Sequence, residues 1–181
     1  MENKLNADGR SVRVIEDCLN GRRTVWDDPF KPGRNGLNGL AQRIEINSPL
    51  ALVILMLGAN DFQSMHPHNA WHSGQGIAAL VTAIRQAPIE PGMPVPPVLV
   101  VAPPKVGTPK GTIAPKFIGA EHKSLGLAQA YKEVAGELGC PFFDSGSMIT
   151  VSRIDGVHLD ADQHIKLGEA MAGVVSPLLS A

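Results

Sequence analysis

Two stretches of this chain are wholly apolar yet too short for anything but β-strands: Leu50 to Leu57 and Val98 to Ala102. A strand without polar alternation must be covered on both faces, and that condition is met almost only by a parallel sheet with helices on either side. Between and after these runs lie segments with helical spacing. They are Leu37 to Ile46, Gly74 to Ala87 (Ile77, Leu80, Val81, Ile84), Ala120 to Leu138 (Leu127, Tyr131, Val134, Ala135) and Asp160 to Leu179, with Asp160 as candidate N-cap. Ser11 to Glu16 alternates at period two and predicts a further strand, and Phe142 to Asp144 a short one. The pattern predicts an α/β fold: a three-layer α/β/α sandwich in a single domain over residues 1–181.

Composition narrows the partners. Sixteen basic residues face seventeen acidic ones, for a net charge of −1. Without a basic stripe there is no footprint for nucleic acid. No apolar run reaches the length of a membrane span, the best being Pro49 to Leu57. No signal-peptide pattern opens the chain, so the expected location is cytoplasmic. Cys18 and Cys140 are the only cysteines and read as buried free thiols, although two cysteines leave a disulfide open.

In parallel sheets the chemistry sits on loops at the carboxyl ends of strands, so residues there carry most weight. Asp155-Gly156-Val157-His158 places a carboxylate three residues before an imidazole at the mouth of the last helix. That spacing lets the carboxylate orient the imidazole as a general base. Gly58-Ala59-Asn60-Asp61 follows one apolar strand, and Asn20-Gly21 follows the Ser11 to Glu16 run. Asp61 reads as structural, bonded to loop backbone. Ser145 and Ser147 follow the last strand but lack the tight strand-to-helix elbow of a nucleophile. His66, His68 and His72 share one loop, where solvent exposure is the simpler reading and a metal site the sharper one. Metal ligands are not expected.

Taken in order, these blocks resemble the SGNH (GDSL-type) hydrolases, in particular the bacterial arylesterase and acyltransferase group. The likeness runs from about Val12 to the C-terminus. It includes Leu19 to Pro29 (LNGRRTVWDDP), Asn35-Gly36, Val53 to Asp61 (VILMLGAND), Val98 to Pro104, Phe142-Phe143-Asp144 and Asp155-Gly156-Val157-His158. The resemblance implies Gly21 as backbone donor and Asn60 as side-chain donor of an oxyanion hole, with Asp155 and His158 as the acid–base pair. It implies hydrolysis of short-chain or aryl esters, or acyl transfer from them, through an acyl-serine. No cofactor is implied; the partner is a small-molecule ester, and the capacity to form a homo-oligomer comes with the group.

The sequence departs from the family's pattern in one important way. The nucleophile's block, Gly-Asp-Ser, occurs nowhere in it. Met1 to Leu5 reads as the tail of the helix that follows the family's first strand. The flavodoxin-like sheet, of strand order 2-1-3-4-5, is therefore expected to lack its first strand, and the domain to be N-terminally incomplete. Strand Ser11 to Glu16 is then expected to have lost its neighbour. A non-catalytic ligand-binding or interaction module on the same fold is the alternative. Arg22-Arg23-Thr24, with one more basic residue than the family's usual Arg-Thr-Thr, is a candidate influence on substrate preference.

Overall fold

The structure is a computed structural model and describes residues 1–179. Three parallel strands form its sheet: β1 (Val53–Leu55), β2 (Val98–Ala102) and β3 (Phe142–Asp144), in the order β1-β2-β3. Val53 pairs with Val98, and Val100 with Phe142. Among the described residues six α-helices accompany them: α1 (Glu2–Ala7), α2 (Leu40–Asn47), α3 (Ala70–Arg85), α4 (Ala120–Lys123), α5 (Leu127–Glu137) and α6 (Ala161–Val175).

β2 explains why its sequence has no polar alternation. Val98, Val100 and Ala102 join the core made with α3 and α5, alongside Ile77, Leu80, Val81, Ile84, Leu127 and Tyr131. Leu99 and Val101 point the other way, onto Leu5 of α1 and Met171, Ala172 and Val175 of α6. All five β2 residues are buried. Full burial of one such Val or Leu side chain contributes roughly 1.5–3 kcal/mol. The middle strand thus fastens both helical layers at once.

β1 is shorter than the Leu50 to Leu57 run predicts. The Val53 N–H donates to the Pro97 carbonyl at 2.9 Å, so the odd-numbered residues face β2. Leu52, Ile54 and Met56 turn their backbone groups to the other edge, where no strand of the described residues pairs with them. These three side chains are half-buried against the α1–α6 core.

The expected strand over Ser11 to Glu16 is not formed. Its alternation is real in burial, since Val12 and Val14 are half-buried and Ser11, Arg13 and Ile15 exposed. A strand also needs a ladder partner, and here the backbone N–H groups of Val12 and Val14 donate instead to the side chains of Asn6 and Glu2. Of the Met1 to Leu5 segment expected to be helical, Glu2 to Leu5 lie within α1 and Met1 is its N-cap.

Smaller differences have local causes. α3 begins at Ala70 rather than Gly74, because Asn69 and His72 form a reciprocal cap: the His72 N–H donates to Asn69 Oδ1 (3.2 Å) and the Asn69 N–H to His72 Nδ1 (3.3 Å). The Ala120 to Leu138 helix is split, and Gly126 at φ +79° separates α4 from α5. Asp160 is the N-cap of α6, as expected, but through its carbonyl, which receives the N–H groups of Gln163 and His164, and not through its side chain. The Lys105 to Ile118 loop contains a 3₁₀ stretch, Gly111–Phe117, that buries Phe117. Cys18 is exposed rather than buried, because its segment lies outside the sheet, and both cysteines are free. No helix among the described residues is long and apolar enough to cross a membrane.

Candidate active site

Because the strands are parallel, the loops that leave their carboxyl ends open along one edge of the sheet. β1 leads through Gly58 into the 3₁₀ turn Ala59–Phe62. Gly58 sits at φ +122°, and a Cβ there would lie 2.1 Å from the Tyr131 hydroxyl, so both conformation and space demand glycine. Tyr131 is buried and donates to the Leu57 carbonyl at 2.8 Å, pinning the strand end. Asn60 then donates from Nδ2 to the Arg22 carbonyl at 3.2 Å. That bond ties Asn60 to the turn that holds Gly21, whose φ is +80°.

Asp61 completes the clamp. It is fully buried and accepts from the Thr24 N–H (2.9 Å), the Thr24 hydroxyl (2.7 Å) and the Ser73 hydroxyl (2.6 Å). Burial pushes its carboxyl above the usual range, against the opposing pull of these donors and of Arg23. Adjacent residues on one turn, Asn60 and Asp61, thus hold successive parts of the Arg22–Thr24 segment.

The second pair lies on the loop after β3. Asp155 Oδ1 accepts the N–H groups of Val157 (2.8 Å) and His158 (3.0 Å), and Oδ2 lies 2.6 Å from His158 Nδ1. Burial alone raises the Asp155 carboxyl, but those two N–H groups and the His158 ring outweigh it and hold it below its ordinary value. An ionised carboxylate only accepts, so Nδ1 carries a proton, and in the neutral ring Nε2 is the acceptor. The His158 side chain is 59% exposed, so Nε2 is open to an incoming group.

Gly156 fixes this turn. Its φ is +77°, and a Cβ would meet the Thr108 carbonyl oxygen at 2.2 Å. The Gly107 N–H donates to the Gly156 carbonyl (2.8 Å) and the Lys110 N–H to that of Asp155 (2.9 Å). The loop after β2 therefore seats the Asp155–His158 pair. The structure thus forms two local units, Gly21 with Asn60 and Asp155 with His158. No hydrogen bond among the described residues joins one unit to the other.

A polar core that nothing in the sequence announces lies beneath Asn60. Arg23 is fully buried. Its Nη1 pairs with Asp28 Oδ2 at 2.9 Å, and Nη2 donates to Gln63 Oε1. Burial opposes the charge on Asp28, but the N–H groups of Phe30 and Lys31 and the Arg23 guanidinium hold its carboxyl below the usual range. The two arginines of Arg22-Arg23-Thr24 are therefore divided between a partly buried pair, Arg22 with Asp17, and this interior one. No periodicity announces a buried arginine.

The loop histidines pack on Trp26. The rings of Trp26 and His68 stack with centroids 3.8 Å apart, and those of His66 and His68 at 5.0 Å. Burial, then the nearby His66, His72, Lys123 and Arg23, push the His68 pKa down to about 4. Lys123 reaches across from α4 to the carbonyls of Gln63 and His66 at 2.9 Å each. Ser145 and Ser147 spend their hydroxyls on the carbonyls of Ala102 (2.6 Å) and Asp144 (2.7 Å).

A three-layer α/β/α sheet with an aspartate-oriented histidine on the loop after its last strand defines a class of hydrolases. The chain belongs to the GDSL-like lipase/acylhydrolase family, whose model matches residues 2–171. Among solved structures it is similar to the inhibitor-bound aryl esterase of M. smegmatis, with 35% identity and a TM-score of 0.91, over 98% of this chain and 82% of that one. A carbohydrate acetylesterase family member from Sinorhizobium meliloti shares 34% identity at a TM-score of 0.91, over 98% and 85% of the two chains. A putative arylesterase from Agrobacterium tumefaciens shares 34% at 0.86, over 98% and 86%. No curated protein matches the chain significantly.

Proposed function

We propose that this fold serves a serine esterase of the SGNH type, acting on short-chain or aryl esters, with water or an alcohol as acyl acceptor. The observation that carries the reading is the 2.6 Å contact between His158 Nδ1 and Asp155 Oδ2, which leaves Nε2 as an exposed base. His158 accepts the proton of an attacking hydroxyl, and Asp155 holds the tautomer and balances the imidazolium that forms. Asn60 and the Gly21 N–H donate to the oxygen that becomes negative in the tetrahedral intermediate. Removing one such donor from an esterase typically costs about 2.7–4 kcal/mol of transition-state stabilisation. No cofactor enters any of these steps.

The nucleophile is the part the 181 residues do not offer. They contain no Gly-Asp-Ser, and the serines after β3 are bonded to backbone carbonyls. Little or no turnover is expected from this chain by itself. The same observation favours a second reading, a ligand-binding module that keeps the pocket without catalysis.

Hydrolysis of p-nitrophenyl acetate separates the two. The 181-residue chain is measured beside a form extended upstream to the nearest in-frame Gly-Asp-Ser. Turnover by the longer form only, abolished by His158→Ala, supports the esterase. Silence from both folded forms supports the binding module. Full turnover by the short form, lost in His158→Ala, overturns the assignment of a missing nucleophile.

A further inference from the structure

We propose that Gln63 and Arg23 are positioning residues for Asn60: a one-way chain of hydrogen bonds, started by a buried guanidinium, keeps the Asn60 NH₂ facing the Gly21–Arg22 turn as a donor. The inference rests on the reading of Asn60 as an oxyanion donor and adds what makes it one.

The direction of such a chain is fixed by groups that can only donate and groups that can only accept. An asparagine amide is nearly symmetric in shape, so packing alone distinguishes poorly between its oxygen and its nitrogen. Arginine has five N–H donors and no acceptor. Arg23 is fully buried and makes its ion pair with Asp28 at 2.9 Å, so its second nitrogen must find an acceptor inside the protein. That acceptor is Gln63 Oε1. Gln63 is itself fully buried, and with its oxygen committed to Arg23 its NH₂ faces Asn60. Gln63 Nε2 donates to Asn60 Oδ1 at 2.8 Å. The Asn60 oxygen is thereby occupied, and its NH₂ turns to the Arg22 carbonyl at 3.2 Å.

Both ends of the chain agree. A guanidinium only donates and a carbonyl only accepts, so each amide between them has one orientation that satisfies every partner. Asn60 has two N–H bonds, and the Arg22 carbonyl takes one. The other remains for an incoming oxygen. Arg23 Nη1 also lies 3.5 Å from the Gly21 carbonyl, so the same guanidinium borders both donor positions.

Gln63→Glu tests the direction of the chain with almost no change of shape. The carboxylate still accepts from Arg23 but has no N–H for Asn60 Oδ1. Asn60 must then turn its NH₂ to the new carboxylate and its oxygen to the turn. Gln63→Met removes both ends of the link without adding charge, and keeps the test open should the glutamate variant fold poorly. The full ¹⁵N-labelled chain is titrated with sodium acetate, whose oxygen stands in for the acyl oxygen. The Asn60 NH₂ signal is identified by its loss in Asn60→Ala.

In the unsubstituted chain acetate is expected to shift both the Gly21 N–H and the Asn60 NH₂. In Gln63→Glu and Gln63→Met the Gly21 response should persist, the backbone spectrum should remain native, and the Asn60 response should fall at least tenfold. An Asn60 response equal to that of the unsubstituted chain, in either folded variant, overturns the proposal. If acetate moves neither signal even without substitution, the esterase reading is what fails. The relay is then judged on the ligand-free spectra: Gln63→Glu must displace the Asn60 NH₂ resonance, and an unmoved resonance sinks it.

Discussion

Gly58 and Tyr131 offer the sharpest quantitative test of how β1 delivers its loop to the site. The Gly58→Ala side chain would sit 2.1 Å from the Tyr131 hydroxyl oxygen and 3.2 Å from its ring carbon, in a backbone at φ +122°. Three costs combine. The strained backbone is worth about 1–3 kcal/mol. Overpacking a filled interior adds about 1–3 kcal/mol. Displacing the hydroxyl from the Leu57 carbonyl loses a hydrogen bond worth about 0.5–1.5 kcal/mol. The expected destabilisation is roughly 4 kcal/mol. Tyr131→Phe alone removes the 2.8 Å bond to Leu57 and should cost about 1–2 kcal/mol. Combined, the two changes should interfere, because phenylalanine has no oxygen for the new methyl to strike. Only the 3.2 Å ring contact and the backbone strain then remain, so the double variant should lose about 2 kcal/mol less than the sum of the singles. Urea unfolding reads this directly. With a slope near 2 kcal/mol per molar, the Gly58→Ala midpoint falls by about 2 M, and the double variant recovers about 1 M of the summed loss. Additivity within about 0.5 kcal/mol would show that the Tyr131 hydroxyl does not lie under Gly58 and would refute the packing argument.

Asp28→Asn leaves the Arg23 guanidinium buried without its carboxylate; a loss of about 3–5 kcal/mol is expected, read as a drop in urea midpoint, and a drop smaller than that of an ordinary surface substitution would contradict the buried pair. His68 is held neutral in the fold, with its pKa near 4 against 6.5 when unfolded, so the unfolded chain binds more protons between those values. Stability should therefore fall as pH drops from about 6.5 towards 4, with a slope of at most about 1.4 kcal/mol per pH unit from this residue, less after solvent screening. His68→Phe, which can still stack on Trp26, should flatten that slope; an unchanged slope points elsewhere. Gly156→Ala forces the Asp155–His158 turn off the Thr108 carbonyl. In the Gly-Asp-Ser-bearing form it should lower kcat for p-nitrophenyl acetate by at least tenfold while β-sheet content is kept, and undiminished kcat would show that the turn does not set the base.

The residues that were legible in the sequence are those whose neighbours lie close along the chain or whose environment is uniform. Val98 to Ala102 coincides with β2 because a strand covered on both faces needs no polar residue anywhere. Asp155 and His158 are three apart, so one turn brings them together. The Ser11 to Glu16 alternation misled because it describes a half-buried extended segment, whereas a strand is defined by its partner. Asn69 and His72 extended α3 through a cap in which histidine takes the part usually given to glutamate. Arg23 was illegible for another reason. Its burial depends on Asp28, five residues on, and on Gln63, forty residues on, and no local pattern links the three.

The α1–α6 core has a consequence for the order in which the molecule can assemble. Leu5 packs with Met171, Ala172 and Val175, and the Arg10 guanidinium reaches the Leu179 carbonyl at 3.3 Å. The partners of α1 leave the ribosome only after every strand of the sheet has been made. The α3–β2–α5 side can close while synthesis continues, but Leu99 and Val101 must wait with one flank open to water. A nascent chain stalled before α6 should therefore present that apolar flank to chaperones, and emergence of α6 should be the step that covers it.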